Sequence, residues 1–287
     1  MKGYHDIMSG GCTLAAKIIG PRYFMLKNRD LVYPDFKDHA TFDEVIFAVA
    51  GVHIGTGVPM GVSIGVNIWG LSACSSTVLA NSDMAYDLLL ERVLRECKTI
   101  EEAAELVRSD LESGNRYQWS NFILATSEQV GAIEIGDGIM EAEILPVMIT
   151  RANHHLKLPT VEALKAASPE EREAGGPIQD SQHRRQMAAK MLETSVSFGD
   201  MMEIASNHTG SRGYNSICRH RASNPDDPLL GETSYSYILE VLKTNSEEYD
   251  IRMHVAKGNP CCNTFQEAKL DFALPSSDKQ AVAQAFP

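Results

Sequence analysis

The stretch GGCTLAAKIIGPRYFMLKNRD, residues 10–30, decides how this chain is read. It contains two apolar runs, CTLAAKII and YFMLKN, separated by the turn-forming dipeptide Gly20-Pro21. Runs of that length bounded by turn signals predict two strands joined by a turn. A glycine pair and Cys12 open the stretch, and the polar cluster KNRD at 27–30 closes it.

Outward from this hairpin the pattern stays strand-like. VIFAVAGVHIG and GVPMGVSIGVNIWGLSACSSTVL, within residues 45–80, are apolar and punctuated by glycine, as suits close-packed sheet with tight turns. From Ser82 the periodicity becomes helical: DMAYDLLLERVLREC brings Leu88, Leu89, Val93 and Leu94 near one face. Thr99 with Glu102 reads as a capping box opening a second helix, IEEAAELVRSDLE, which Gly114 ends. NFILAT, VGAIEIG and EAEILPVMI follow as strands. Helices are expected at about 182–195 and from Ser197, and NSICRHR, SYSYILEVL and YDIRMHVAKG return to strands. Three prolines, two adjacent glycines and several charges mark 158–180 as a surface excursion, and the small, polar tail from Pro275 has the composition of a mobile chain end. Two helix pairs set between blocks of strands suggest a sheet sandwich covered by helices on both outer faces.

The balance of charge narrows the partners. A net charge of −12 repels phosphate backbones, so no nucleic-acid partner is expected. No apolar run is long enough for a transmembrane helix, and MKGYHDIMSGG has no apolar core of a secretory signal, so no membrane is expected. Six cysteines in a chain of 287 residues without such a signal point to reduced thiols and a cytoplasmic location. The adjacent Cys261 and Cys262 lack a second Cys or His pair at zinc spacing, so no metal and no cofactor is expected. Nothing here requires or excludes a homo-oligomer.

Four places carry reactive chemistry. If the chain were cut between Gly11 and Cys12, the freed α-amine of Cys12, with an ordinary pKa of about 7.7–8.0, could take the thiol proton and activate the sulfur without a histidine. Gly10 and Gly11 give the backbone freedom for the strained geometry of an N-to-S acyl shift. The plain alternative is a buried strand cysteine. In KNRD, Asp30 is suited to hold an amine, and Asn28 and Asp30 are equally ordinary turn residues. Asn153 in ANHH, residues 152–155, offers an uncharged amide as oxyanion donor, against a simple polar loop. Arg219 in NSICRH, residues 215–220, read as a strand, needs a carboxylate such as Asp30 if buried, or else any surface acid.

Seven pieces in order then carry a resemblance: GCT from Gly11; KNRD, with Asp30 18 residues after Cys12; GVNIWGL at 65–71; SNFILAT with AIEI; RANHH at 151–155; SNHTG with SICRH and Thr233; and GNPCCNTF at 258–265. Together, from Gly11 to about Phe265, they resemble the acyl-coenzyme A:6-aminopenicillanic acid acyltransferase-like family. These are autoproteolytic cysteine hydrolases of the peptidase C45 type, with penicillin V acylases, bile salt hydrolases and acid ceramidase-like amidases as wider relatives. The resemblance implies an α+β, four-layer αββα sandwich of the N-terminal-nucleophile hydrolase type, with a short propeptide at 1–11 and one domain over 12–287. It implies an amide hydrolase or acyltransferase acting on a small-molecule amide or acyl thioester through an S-acyl intermediate on Cys12. Cleavage falls between Gly11 and Cys12, Asp30 holds the freed amine, Asn153 donates to the oxyanion with the backbone N–H of Asn67 as a second donor, and Arg219 acts through Asp30. Lys27, Asn28, His154, Asn207 and His208 are implied as supporting or substrate-binding residues. Lys27, Ala152 and Asn207 stand where the family has Arg, Thr and Asp. Two other readings remain: a papain-like Cys–His hydrolase with His154, His208 or His220 as base, and a catalytically degenerate member that binds a ligand.

Overall fold

A computed structural model describes residues 11–32, 37–52, 58–160, 177–208, 210–221, 231–245 and 248–287. Residues 1–10 of the expected propeptide and 161–176 of the expected excursion lie outside the described residues.

The hairpin forms as the sequence predicts. Strand β1 (Gly11–Ile19) turns at Gly20, whose φ is +60°, into β2 (Arg22–Leu31). It is the centre of an antiparallel sheet ordered β10-β1-β2-β11-β12-β13, completed by β10 (Met148–Arg151), β11 (Glu232–Lys243), β12 (Tyr249–Lys257) and β13 (Gln266–Leu270). The second antiparallel sheet runs in chain order: β3 (Ala40–Phe42), β4 (Ile46–Val52), β5 (Pro59–Asn67), β6 (Ser72–Leu79), β7 (Trp119–Ala125), β8 (Val130–Gly136) and β9 (Ile139–Leu145).

Strand alternation sorts the side chains into layers. Leu14, Ala16, Tyr23 and Met25 point from the first sheet onto Phe47, Ile64, Val66 and Ile123 of the second, a continuous apolar seam between the sheets. Ala15, Phe24, Leu26 and Ile238 point the other way, against helices α3 (Pro177–Thr194) and α4 (Phe198–Ala205). On the far side, Ala48, Val62 and Ala73 meet α1 (Tyr86–Glu96) and α2 (Ile100–Glu112). The molecule is therefore an α+β sandwich in four layers, helices–sheet–sheet–helices.

Thr99 caps α2 through the backbone N–H of Glu102, and the carboxylate of Glu102 accepts from the N–H of Lys98. Three expectations change. EAEILPVMI splits into β9 and β10. NSICRHR is a looped segment whose backbone N–H groups donate to Asn207, Arg212 and Gly213, and which meets a strand in the backbone where the Arg219 carbonyl accepts from Thr233 of β11. The tail from Pro275 forms a helix, α5 (Ser276–Gln284), whose buried Lys279 pairs with Glu44.

Candidate active site

The alternation that builds the seam also places the polar cluster. Lys27 and Arg29 share the inter-sheet face with Tyr23 and Met25, while Asn28 and Asp30 share the helix face with Phe24 and Leu26. In the β1–β2 register Cys12 lies opposite Arg29, and Gly11 opposite Asp30.

β10 pairs with β1 only as far as Leu14–Arg151. Beyond that point a side chain takes over from the strand: the backbone N–H of Cys12 donates to Oδ1 of Asn153 at 3.0 Å. The same Oδ1 accepts from Nη2 of Arg184 at 2.6 Å, and Nδ2 of Asn153 donates to the Thr77 carbonyl at 2.7 Å. The orientation of the Asn153 amide is thus set by three contacts. Its loop is equally fixed. Glu134 accepts the backbone N–H groups of Leu156, Lys157 and Leu158 at 2.8–3.1 Å and the Nε of Arg151 at 3.1 Å. Asn121 donates to the carbonyls of Ala152 and His154.

On the helix side Asp30 accepts from the Thr233 hydroxyl at 2.7 Å, and its Oδ2 faces Nη2 of Arg219 at 3.5 Å, both side chains buried. Arg219 stacks over Tyr214, and its backbone N–H is held by Thr233 at 2.9 Å. Asp30 Oδ2 and the Nε and Nη1 of Arg219 have no hydrogen-bond partner among the described residues. Gly11 lies directly against this pair: a Cβ there would fall 2.7 Å from Arg219 Nη2 and 2.9 Å from Asp30 Oδ2. Its φ is not in the left-handed region. A larger residue here would push the Arg219 and Asp30 side-chain ends out of their present positions.

The Cys12 side chain lies on the inter-sheet face, beside a cavity of about 40 Å³ lined by Lys27, Arg29, Ser63, Ser75, Tyr86 and Asp87. A volume of that order has room for about one water, so these residues enclose a small polar space beside the thiol. Burial raises the Cys12 thiol pKa above its ordinary value; Lys27 opposes this most, Asp30 adds to it, and Arg29 and Arg184 oppose it. The Lys27 ammonium donates to the hydroxyl and carbonyl of Ser63 and to the Ser75 carbonyl. Arg29 pairs with Asp38. Burial lifts Asp87 to about 6, with Lys27 and Arg29 pulling the other way.

Several expected residues lie elsewhere. The N–H of Asn67 is bonded to the Leu71 carbonyl, and its side chain caps the β5–β6 turn and the end of α1, so it offers no second oxyanion donor. Asn28 is buried on the helix face, donating to the carbonyls of Ala205 and Ile217 and accepting from Ser236, away from the cavity. Asn207 accepts from the N–H of Cys218 through its own carbonyl. His154 bonds Ser181 at 2.7 Å, and burial with nearby arginines lowers it to about 3, a neutral ring. His208 and His220 face each other at 3.0 Å. Neither His154 nor His208 nor His220, any one of which a Cys–His mechanism could use as base, lines the Cys12 cavity.

Sequence reasoning missed Arg184, Arg29 and Asp87. Arg184 sits in a helix with no motif around it, and Asp87 reads as an ordinary acidic residue in the first turn of α1. Arg29 stood inside the quoted KNRD and could have been found from its parity with Lys27.

No protein-family profile matches the chain, and no curated protein matches it in sequence. Among solved structures it is similar to the crystal structure of a mutant conjugated bile acid hydrolase from Clostridium perfringens. The two share 10% identity over 92% of this chain and 98% of that one, with a TM-score of 0.47.

Proposed function

We propose that the chain is an N-terminal-nucleophile cysteine amidohydrolase or acyltransferase, active after cleavage between Gly11 and Cys12. The observation that carries this reading is the seat of the Cys12 nitrogen. It donates at 3.0 Å to an amide oxygen 141 residues away, itself fixed by Arg184 and Thr77, while the buried carboxylate of Asp30 lies against the residue that would be removed. Cleavage would convert an amide N–H into an amine with further protons. Asn153 Oδ1 already accepts the first of them, and Asp30 Oδ2, ion-paired with Arg219 but without a hydrogen-bond partner among the described residues, is an acceptor beside the vacated glycine. This assigns Asn153 to holding the nitrogen, a change from the oxyanion role that the resemblance implies.

In the reaction the α-amine takes the thiol proton, and the Cys12 sulfur adds to the substrate carbonyl. The C–N or C–S bond breaks as the leaving group takes that proton back, leaving an acyl thioester on Cys12. Water then gives the acid, or an incoming amine gives the transferred amide. The substrate class is a small-molecule amide or acyl thioester, and the location that suits a free thiol nucleophile is the cytoplasm.

Cys12→Ala tests this. Intact-mass analysis of the wild type should show a chain beginning at Cys12, and the variant should remain uncut and lose amidase activity by at least about 10³-fold. A wild type that turns over substrate with residues 1–11 still attached would overturn the free-amine mechanism.

A further inference from the structure

The described residues contain a second cluster, none of whose members lines the Cys12 cavity. His208, which follows α4, Cys218 and His220 from the loop, and Cys261 from the turn between β12 and β13 bring one ligand atom each within 4.8 Å of one another. The two Nε2 atoms of His208 and His220 are 3.0 Å apart. Cys261 Sγ lies 3.2 Å from His220 Nε2, and Cys218 Sγ lies 3.6 Å from both His220 Nε2 and Cys261 Sγ.

These separations have a specific meaning. A tetrahedral ion with sulfur at about 2.3 Å and nitrogen at about 2.0–2.1 Å sets its ligand atoms about 3.3–3.8 Å apart. Two imidazole nitrogens and two sulfurs converge from three chain segments onto one point: the two separations from Cys218 fall inside that range, the His208–His220 and His220–Cys261 separations are 0.1–0.3 Å short of it, and all four atoms lie within 4.8 Å of one another. The thiols are all free. Two sulfur and two nitrogen donors in tetrahedral array are the ligand set of zinc. Cys218 is buried and the other three are half-buried, so an ion can enter from solvent. Two thiolates and two neutral imidazoles leave a divalent ion with no net charge, and the nearby Arg212 favours the thiolate form of Cys261.

The turn that carries Cys261 is built in advance. Gly258 has a φ of +87° and donates to the Ser234 carbonyl at 2.7 Å, and Asn259 donates to the Arg219 carbonyl at 2.6 Å. The expectation of no metal rested on Cys261–Cys262 having no partner pair nearby in sequence. The fold supplies the partners from positions 208, 218 and 220.

We infer that His208, Cys218, His220 and Cys261 form a structural Zn²⁺ site that fastens the loop carrying Arg219 to the β12–β13 turn. Four protein ligands leave no open position, which makes the site structural rather than catalytic. On binding, the two thiols release their protons to solvent and the imidazoles bind as neutral rings. Because Arg219 lies between two ligands and its side chain faces Asp30, the ion fixes the backbone that presents this guanidinium beside Gly11.

The test uses the full chain, reduced with a phosphine, stripped of metal with a chelator and titrated with Co²⁺. One Co²⁺ per chain should give the sulfur-to-cobalt charge-transfer absorption and the intense visible bands of tetrahedral thiolate coordination, and Zn²⁺ should displace it. Cys261→Ser and His208→Ala should each weaken Co²⁺ binding by about 100-fold or more, with circular dichroism confirming a folded chain. Cys262→Ser and Cys12→Ala should leave the spectrum unchanged, the latter separating this site from the nucleophile. Absence of the tetrahedral bands would overturn the inference. So would an equal loss in Cys262→Ser, or a Cys218–Cys261 disulfide in the protein purified without reductant together with no Co²⁺ binding after reduction.

Discussion

At the scale of single residues, the site is a contest over one thiol. Burial disfavours the Cys12 thiolate, Lys27 is the largest influence favouring it, and Asp30 works against it. The Lys27 ammonium is a point charge rather than a fork, and the structure gives that charge a nest of Ser63 and Ser75 oxygens beside the cavity that Cys12 lines. Two substitutions of opposite sign follow. Lys27→Met should move the midpoint for alkylation of Cys12 by iodoacetamide to higher pH. Asp30→Asn should move it to lower pH. A pH–rate profile of alkylation reads both, and shifts of the same sign would show that neither charge governs the thiol. Parity explains which of these roles the sequence could show. KNRD was visible as a polar cluster, but only its alternation within β2 separates the cavity-facing Lys27 and Arg29 from the helix-facing Asn28 and Asp30.

At the scale of elements, the decisive feature is a strand that stops short. Because β10 ends at Arg151, the N–H of Cys12 meets a side chain where a ladder would otherwise continue. Nothing local in EAEILPVMI fixes that endpoint; it depends on Glu134 and Asn121 gripping the loop that follows. NSICRHR misled for a related reason. Ile217 and Cys218 are buried beneath the helix layer, which gives the segment a strand-like hydropathy, yet hydropathy reports burial and is silent on pairing. What holds this loop to β2 is Asn28, through Ile217, with Ala205 at the end of α4 on the same amide. Asn28→Ala would leave two buried carbonyls and the Ser236 hydroxyl without this partner, a loss of at least about 3 kcal/mol at about 1–3 kcal/mol per orphaned group. Urea unfolding should show that loss, with kcat/KM kept within about tenfold at temperatures where the variant is folded. A large fall in kcat/KM at unchanged stability would instead place Asn28 against the substrate.

At the scale of the molecule, the two sheets enclose charges as well as a core. The apolar seam was legible, since strand alternation alone assigns Leu14, Ala16, Tyr23 and Met25 to one face. The charged end of the seam was not, because Asp87 comes from the first turn of a helix and reaches the cavity only once α1 has packed on the second sheet. Its carboxyl rises from 3.8 to about 6, mainly by burial, equivalent to about 3 kcal/mol at 1.36 kcal/mol per unit. The sign follows from linkage. Below about pH 4 the group is protonated in both folded and unfolded chains, and its contribution to stability is fully present. Between about pH 4 and 6 the unfolded chain releases the proton while the folded chain keeps it, so stability falls as pH rises; above about 6 the loss is complete. Asp87→Asn keeps an acceptor for the Ser75 hydroxyl, which donates to Asp87 at 3.1 Å, and cannot ionise. The stability of the variant relative to the wild type should therefore climb by about 3 kcal/mol from pH 4 to 6 and then level off. Denaturant unfolding at half-unit steps of pH measures the difference. A difference that stays flat across that window would mean that Lys27 and Arg29 hold Asp87 ionised throughout, and that the cavity beside Cys12 keeps a fixed charge over the working range of the thiol.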